Sequence, residues 1–267
     1  MEKQRAQVVI VTGAGGHGVG SGVCDALAER GARLVLNDVD ERAVHAAAER
    51  YPDAIAVAAD LRTAEGVTHV LDVAIAHYGE VDALVNNAGV GLSLPAHLAE
   101  EADFDRLFSL NIRGLWLASR AFAQHRIERG GGGVIVNISS VHGQHTQSGY
   151  AIYAATKGAV EGLTRGMSTE LGTHGIRCNA VAPGAVLDER FVDSYGLGDD
   201  GIGWIRRHAS EQQVIDRTVG PADVGRVVSF LLSPDAWAIA GQTVTVDAGL
   251  STLLYDRVFT GDAARTD

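Results

Sequence analysis

The most constraining feature of the sequence is a strand–turn–helix rhythm that repeats along nearly its whole length. Short runs of Val, Ile, Leu and Ala end in polar or glycine-rich turns, and each turn leads into a segment with helical spacing. The predicted strands are residues 8–11, 33–36, 55–58, 83–85, 134–138, 177–182 and 243–246. The predicted helices are residues 23–30, 41–50, 64–77, 104–128, 153–171 and 222–232. This alternation favours parallel strands joined by right-handed crossovers, and strands this apolar are typical of a sheet covered on both faces.

We therefore predict an α/β fold, namely a single doubly wound parallel sheet (Rossmann-like) with helices on both faces. Residues 1–267 are assigned to one dinucleotide-binding and catalytic domain, because no linker or internal repeat divides them and the length suits one large α/β domain. Residues 187–219 interrupt the rhythm with a long stretch of mixed polarity. Long excursions from a compact domain commonly carry function, so we expect this one to cover the substrate. Its Trp204 either closes over an apolar substrate or packs against a helix.

Charge and cysteine usage exclude several classes of protein. The formal net charge of −11 argues against binding to nucleic acid or to an anionic membrane surface. The longest uncharged stretch, residues 130–156, is too rich in Asn, Ser, His, Gln and Gly to predict a membrane span. Cys24 and Cys178 match no metal-ligand spacing, so no metal site is predicted. An unstapled chain of this size fits a reducing compartment, and we expect a cytoplasmic protein.

A glycine-rich turn follows the first predicted strand and opens the first helix. Its glycines match the spacing G-x-G-x-x-G from Gly13 to Gly18. Glycine lets the backbone approach a pyrophosphate closely, and free amides at the helix N-terminus then stabilise the negative charge. The pattern predicts dinucleotide binding, with a glycine turn that binds no ligand as the alternative.

Asp38, at the end of the second predicted strand, indicates which dinucleotide is bound. An acid about 20 residues after such a turn accepts hydrogen bonds from the ribose hydroxyls and would repel a 2′-phosphate. Residues 39–41 supply no positive charge to offset it, although Arg42 on the next helix is near in sequence. NAD is therefore favoured over NADP, and a solvated turn carboxylate is the alternative.

Tyr153 and Lys157 form the sharpest candidate for chemistry. They lie four residues apart on a predicted helix, which places their Cβ atoms about 5–6 Å apart on one face. A tyrosine base near neutral pH needs a pKa roughly three units below its reference of about 10, which is about 4 kcal/mol. One cation about 4 Å away supplies energy of that order. Lys3 and Lys157 are the only lysines of the sequence, so an incidental surface pair is the weaker alternative.

Ser140 follows the predicted strand 134–138, and ligands of parallel sheets bind beyond the carboxyl ends of strands. A serine there can donate to a substrate oxygen and stabilise developing negative charge. Ser139 is an equally good candidate from these residues alone. His142 and His145 follow in the same loop, either lining the substrate or lying on the surface, and a metal site there would lack a third ligand.

In these residues the chain resembles the short-chain dehydrogenase/reductase family over nearly its whole length. The markers are Thr12-Gly13 with the following glycines, Asp60, Asn86-Asn87-Ala88-Gly89, Asn111, Ser140, Tyr153 with Lys157, and Pro183-Gly184. The resemblance implies a catalytic set of Asn111, Ser140, Tyr153 and Lys157, and it selects Ser140 over Ser139. It gives Asn111 the task of holding a water that connects Lys157 to solvent. It also implies a homotetramer built largely on the helices that contain Asn111 and Tyr153.

The resemblance extends the expected cofactor site beyond the glycine turn. Asp60 and Leu61 would border the adenine ring, and residues 87–89 would stabilise the cofactor-binding strand. The expected cofactor contacts are Gly13, Gly16, His17, Gly18, Val19, Asp38, Asp60, Leu61, Asn87, Ala88, Gly89, Tyr153, Lys157, Pro183, Gly184 and Val186.

Two positions depart from the family pattern. Four residues, 14–17, lie between Gly13 and Gly18 where the family usually has three, which alters the expected amide contacts and places His17 near the phosphates. Asp188 stands where the family often has a threonine that touches the nicotinamide carboxamide.

The sequence thus predicts an NAD-dependent enzyme that transfers a hydride between the cofactor and a secondary alcohol or ketone. No feature of the sequence identifies which small molecule this is. One alternative is an NADPH-dependent 3-oxoacyl reductase, which Asp38 opposes. A second is a catalytically idle NAD-binding regulatory protein, which the intact catalytic set opposes.

Overall fold

The computed structural model describes residues 6–186 and 200–261, and within them seven strands form one sheet. The strands are β1 (Val8–Thr12), β2 (Arg33–Asp38), β3 (Ala54–Ala58), β4 (Ala83–Asn86), β5 (Gly133–Ile138), β6 (Ile176–Pro183) and β7 (Thr243–Val246). Neighbouring strands pair in parallel in the order β3-β2-β1-β4-β5-β6-β7. The predicted parallel α/β sheet is confirmed.

The helices alternate with these strands as the sequence indicates. They are α1 (Val19–Ala28), α2 (Glu41–Ala48), α3 (Ala64–Tyr78), α4 (Glu101–Phe108), α5 (Leu115–Glu128), α6 (Ala151–Leu171), α7 (Gly201–Gln212), α8 (Pro221–Leu232) and α9 (Arg257–Thr260). A π-helical turn, Ser109–Gly114, separates α4 from α5. None of the helices described is long and apolar enough to cross a membrane.

Two predicted helix boundaries are wrong for identifiable reasons. The first helix begins at Val19 instead of residue 23, because Gly20 and Gly22 belong to it despite their low helix propensity. The predicted helix 104–128 begins three residues earlier, at Glu101, and is divided by the π-helical turn. Local periodicity does not distinguish one inserted residue within a helix from regular helix.

Both faces of the sheet are buried under helices. Val9 and Val11 of β1 belong to one apolar cluster, which includes buried side chains of α1 and α8. Val8 and Ile10 belong to the cluster on the opposite face, which includes side chains of α3 and α5. Successive side chains of a strand point to opposite faces, so residues 8–11 of β1 are all apolar because the strand faces core on both sides.

The helices α1 and α8 cross with backbone against backbone. A Cβ added at Gly225 would collide with the backbone of Gly22, and one added at Gly22 would collide with the backbone of Pro221. Glycine is therefore required on both helices for this close approach.

We expect Gly225→Ala to lower the free energy of unfolding by about 3 kcal/mol, because the added methyl group forces the two helices apart. Urea unfolding followed by circular dichroism measures the change. Gly172→Ala is the matched control: Gly172 has φ −58°, and a Cβ added there meets nothing within 4 Å. The control should be stabilised by up to about 1 kcal/mol. An unchanged urea midpoint for Gly225→Ala would mean that the helices do not cross this closely.

The order of the strands determines where a ligand can bind. From β1 the chain proceeds to β2 and β3 on one side, whereas β4 lies on the other side of β1 and begins the second half of the sheet. Sheets of this kind bind ligands at such a reversal, beyond the carboxyl ends of the strands.

Candidate active site

A cleft of about 560 Å³ opens at the carboxyl ends of β1, β2, β3 and β4. This volume lies within the range of small-molecule sites, which is about 300–1,000 Å³. Eight of the predicted cofactor contacts line the cleft, namely Gly13, Val19, Asp38, Asp60, Leu61, Asn87, Ala88 and Gly89. The structure thus brings residues from four separate turns into one cavity at the switch point of the sheet.

The floor between β1 and β4 is fixed by hydrogen bonds of Thr12 and Asn87. Thr12 Oγ1 accepts from the backbone amides of Asn87 and Ala88, both at 3.0 Å. Asn87 Nδ2 donates to the carbonyl oxygens of Thr12 and Gly13, both at 2.9 Å. Gly13 has φ +63°, and a Cβ there would lie 2.7 Å from Ala88 Cα. The sequence marked Thr12 only as part of a motif and did not predict its accepting role.

The glycine-rich loop, residues 13–18, folds toward β2. Ala14 N donates to Asn37 O at 2.9 Å, and Gly15 N donates to Asp38 Oδ2 at 3.0 Å. Gly16 is half-buried in the loop and His17 is exposed. Gly18 is the N-cap of α1 and has no side chain to accept from the first-turn amides. These amides are therefore available to an anion.

Asp38 is held in a defined orientation by two backbone amides. Besides the bond from Gly15, its Oδ1 accepts from Asp40 N at 3.2 Å. A Cβ at Gly15 would lie 2.9 Å from Asp38 Cβ, so the loop packs directly on this side chain. Gly15 belongs to the G-x-G-x-x-G pattern but was not among the expected cofactor contacts, although the extra loop residue was a signal that the loop differs here. Arg42 is exposed on α2 and is not among the residues that line the cleft.

Two basic side chains that the sequence did not predict, Arg62 and Arg106, also line the cleft. Arg62 donates to both carboxylate oxygens of Asp60 at 2.6–2.9 Å. These bonds hold the pKa of Asp60 below its ordinary value. Arg106 lines the same cleft and lies 3.8 Å from Asp103 on α4.

Ser140, Tyr153 and Lys157 come together beside this cleft. Ser140 follows β5, and its hydroxyl hydrogen-bonds to the Tyr153 phenol on α6. Lys157 Nζ lies 5.6 Å from the centroid of the Tyr153 ring and donates to Ile138 O at 2.9 Å. A Cβ at Gly89 would lie 3.7 Å from this Nζ, so the ammonium group adjoins the wall of the cleft.

Burial dominates the pKa values of this pair. It raises the pKa of Tyr153 above its ordinary value, the Ser140 hydrogen bond acts in the opposite direction, and nearby Tyr150 raises it further. Burial lowers the pKa of Lys157 to about 8. The expected lowering of the Tyr153 pKa by Lys157 is therefore not found, because the cost of burying a phenolate outweighs the other contributions.

The structure separates the two candidate serines. Ser139 Oγ donates to Lys157 O and to Glu161 Oε1, both at 3.2 Å, so it faces α6. Ser140 Oγ accepts from His142 N at 3.3 Å and contacts Tyr153. Ser140 is thus the serine at the phenol.

Asn111 lies in the π-helical turn and is buried. Its Oδ1 accepts from Val90 N, and its Nδ2 donates to Val90 O, each at 2.9 Å. Nδ2 also donates to Thr156 Oγ1 at 3.1 Å. The side chain therefore links the segment after β4 to α6, between Tyr153 and Lys157. The water relay implied for Asn111 stays a prediction.

Aromatic rings surround the Tyr153 phenol. The His142 ring stacks on Tyr150 at 4.5 Å and meets the Tyr153 ring edge-on at 5.6 Å. Burial lowers the pKa of His142. His145 is exposed, so of the two loop histidines only His142 borders the site. Trp204 on α7 is half-buried and stacks on His208 at 5.2 Å.

The remaining predicted contacts follow β6. Pro183 ends the strand, and Gly184 N donates to Val246 O at 3.0 Å. Val186 forms an isolated bridge with Val219. Asp188 lies outside the described residues, as does the first part of the predicted excursion, 187–199.

Comparison with known proteins gives consistent matches. A family model described as enoyl-(acyl carrier protein) reductase matches residues 13–251. A probable short-chain type dehydrogenase/reductase of Bradyrhizobium diazoefficiens is 36% identical over 258 residues, covering 94% of this chain and 89% of the relative.

Two solved structures are similar to this chain. The 3-ketoacyl-(acyl-carrier-protein) reductase of Brucella melitensis, complexed with NADH, is 32% identical with a TM-score of 0.80, covering 93% of this chain and 100% of that one. The L-sorbose reductase of Gluconobacter frateurii, complexed with NADPH and L-sorbose, is 27% identical with a TM-score of 0.87, covering 93% and 98%. One neighbour contains NADH and the other NADPH, so these likenesses do not choose between the two cofactors.

Proposed function

Because the chain belongs to the short-chain dehydrogenase/reductase family, and is thus an oxidoreductase, we propose that it transfers a hydride between NAD(H) and a secondary alcohol or ketone. The observation that carries this proposal is the hydrogen-bonded pair of Ser140 and Tyr153, with Lys157 Nζ near both the phenol ring and Gly89 of the cleft. The catalytic set is Asn111, Ser140, Tyr153 and Lys157.

Three observations support the fit of a dinucleotide in the cleft. The backbone at Gly13 leaves no room for a side chain, the N-terminus of α1 is uncapped at Gly18, and Asp38 stands oriented at the end of β2. The first-turn amides of α1 would hold the pyrophosphate, and Asp38 the adenosine ribose. Leu61 and Asp60 would border the adenine. When bound, the nicotinamide accepts or supplies the hydride.

The protein's own residues handle the proton and the substrate oxygen. In oxidation Tyr153 takes the proton of the substrate hydroxyl, and in reduction it returns one to the developing alkoxide. Ser140 donates to that oxygen and stabilises its charge. Lys157 Nζ adjoins the cleft wall at Gly89, where it can donate to ribose hydroxyls. The hydrogen bonds of Asn111 hold the segment after β4 against α6.

The preference for NAD rests on Asp38, whose two amide bonds hold a negative charge in the cleft. We expect the protein to bind NADH about tenfold or more tightly than NADPH, because the carboxylate repels a 2′-phosphate. Asp38→Asn should reduce this difference to within a few-fold, mainly by improving NADPH binding. Fluorescence titration with both nucleotides measures the ratio without turnover.

Asp40→Asn is the matched control for this titration. Asp40 is exposed and caps α2 through Ala43 N, a role that asparagine also fills. The ratio of its affinities for NADH and NADPH should equal that of the wild type. Tighter binding of NADPH by the wild type would overturn the NAD assignment.

A second candidate is an NADPH-dependent 3-oxoacyl reductase. It is favoured by Arg62 and Arg106, two cations that line the same cleft as Asp38. Arg62 is already paired with Asp60, which weakens this candidate. The same titration separates the two candidates.

We propose further that residues 1–267 act as one domain in a cytoplasmic homotetramer. Phe104 and Trp116, on α4 and α5, are 46% and 44% exposed, which supports an interface on these helices.

A further inference from the structure

Glu161 is a buried carboxyl group next to the candidate active site that the proposed reaction does not use. It lies one helical turn after Lys157 on α6 and is 3% exposed. Burying a carboxyl group costs free energy unless hydrogen bonds compensate for it. The partners of Glu161 therefore indicate what this position does.

Its two oxygens accept from residues on both sides of Ser140. Ser139 Oγ donates to Glu161 Oε1 at 3.2 Å, and Gln144 Nε2 donates to Oε2 at 2.9 Å. Residues 139–144 form the loop that carries Ser140, and we call them the serine loop. One side chain of α6 thus holds this loop near both of its ends.

The backbone of the serine loop also lies directly on α6. A Cβ added at Gly143 would lie 2.6 Å from Glu161 Oε1 and 3.2 Å from the Lys157 carbonyl carbon. Ser139 Oγ donates to Lys157 O as well. Close contact and hydrogen bonds therefore fix the loop on the helix that presents Tyr153 and Lys157.

We propose that Glu161 is a positioning residue that clamps the serine loop to α6 and thereby holds the Ser140 hydroxyl against the Tyr153 phenol. This inference rests on the proposed function, because it assigns Glu161 a part in the same site. Glu161 acts on Ser140 only through the loop, by its hydrogen bonds with Ser139 and Gln144.

Loss of the clamp should change the pH dependence and the kcat of the reaction, with little change in NADH binding. The hydrogen bond from Ser140 lowers the pKa of Tyr153, so a loosened loop should raise that pKa. The rise of the oxidation rate with pH should therefore move to higher pH. The kcat should fall between about tenfold and a hundredfold, since small misplacements of a reacting group have effects of this size. NADH binding should change little, because the clamp variants leave Gly13, Asp38, Asp60, Leu61 and residues 87–89 of the cleft unaltered.

The experiment compares three clamp variants with a control on the same helix. Glu161→Ala removes both acceptors. Glu161→Gln keeps the volume but can no longer accept from both donors. Gln144→Ala removes one donor from an exposed position. Glu170→Gln alters an exposed acid of α6 and should match the wild type in every measurement. His142, Tyr150 and Lys157, the titratable groups around the phenol, stay unaltered throughout.

A second readout reports on the phenol without turnover. In protein labelled with ¹³C at tyrosine Cζ, the Tyr153 resonance is assigned by its loss in Tyr153→Phe, and Ser140→Ala gives its position without the serine hydrogen bond. We expect Glu161→Ala to move the resonance most of the way to that position, with smaller movements in Glu161→Gln and Gln144→Ala. If Glu161→Ala does not fold, the other two variants carry the test.

An unmoved Tyr153 resonance and an unmoved pH limb in the folded clamp variants would overturn the proposal. So would a loss of NADH binding in proportion to the loss of kcat, since that indicates general damage to the fold. The resonance needs neither substrate nor cofactor. If the wild type turns over no alcohol or ketone, the proposed function fails, while the clamp is still tested by the resonance.

Discussion

Replacing Tyr153 by Phe should lower kcat by about 10²–10⁴-fold, the usual contribution of a positioned general acid–base group. The phenol oxygen is the atom proposed to exchange a proton with the substrate, and it is also the atom that is hydrogen-bonded to Ser140. Phenylalanine keeps the ring, so its contacts with His142 and Tyr150 are retained. Steady-state kinetics with the best substrate from an alcohol and ketone panel, together with NADH titration, measure the effect.

Tyr150→Phe is the comparison that gives this result its meaning. Tyr150 is a neighbouring tyrosine that is itself buried, with its ring centroid 6.2 Å from that of Tyr153, but no lysine follows it four residues later. We expect its effect to be at least tenfold smaller than that of Tyr153→Phe, because the proposed proton transfer uses the Tyr153 phenol and not that of Tyr150. Turnover that survives Tyr153→Phe within a few-fold would refute the mechanism. Loss of NADH binding in the same variant would instead point to a damaged site.

The sheet and the general position of the site could be predicted from the sequence because their signals are local. A strand buried on both faces is largely apolar, so β1 and β4 are visible in the sequence as short runs rich in Val, Ile, Leu and Ala. The turns after such strands collect at one edge, so Gly13, Asp38 and residues 87–89 could be expected to meet.

The features that the sequence did not predict depend on contacts between distant segments. Position 22 within α1 must be glycine because the backbone of Pro221, far along the chain, packs directly against it. The π-helical turn at Asn111 is stabilised by Val90 and Thr156, which lie on other elements. The donors to Glu161 come from a loop 17 and 22 residues away. No local pattern of side chains encodes these pairings.

The pKa of Tyr153 illustrates the same limit. The spacing of Tyr153 and Lys157 correctly placed them on one helix, but the direction of the pKa shift depends on how deeply the phenol is buried. Burial is a property of the whole fold, because α6, the serine loop and Tyr150 all cover the ring. The balance between burial and a nearby cation can therefore be judged only in three dimensions.

Replacing Lys157 by Met should lower turnover by about a hundredfold, as expected when a charged donor is removed from a preorganised site. It should also alter how stability depends on pH. Burial lowers the pKa of Lys157 from its ordinary value of 10.5 to about 8. Below pH 8 the lysine is charged in both the folded and the unfolded state, and the folded state bears the cost of burying that charge. A fall in pKa of this size corresponds to about 3 kcal/mol.

The sign of the effect follows from where the protons are bound. Between about pH 8 and 10.5 the folded protein has released the Lys157 proton while the unfolded chain still holds it. The free energy of unfolding therefore rises with pH in this window, and above it the cost has disappeared. Methionine has no proton to release. The free energy of unfolding of the wild type should thus rise by about 3 kcal/mol relative to that of Lys157→Met between pH 8 and 10.5.

Urea unfolding at a series of pH values measures this difference, and the subtraction removes the titrations that the two proteins share. Arg165→Met, at an exposed position of α6, is the control, and its difference from wild type should stay level with pH. A level difference for Lys157→Met as well would mean that the ammonium group is not buried at a cost. A rising difference combined with lost turnover would mean that the fold tolerates an unfavourable charge at Lys157 because the chemistry needs it there.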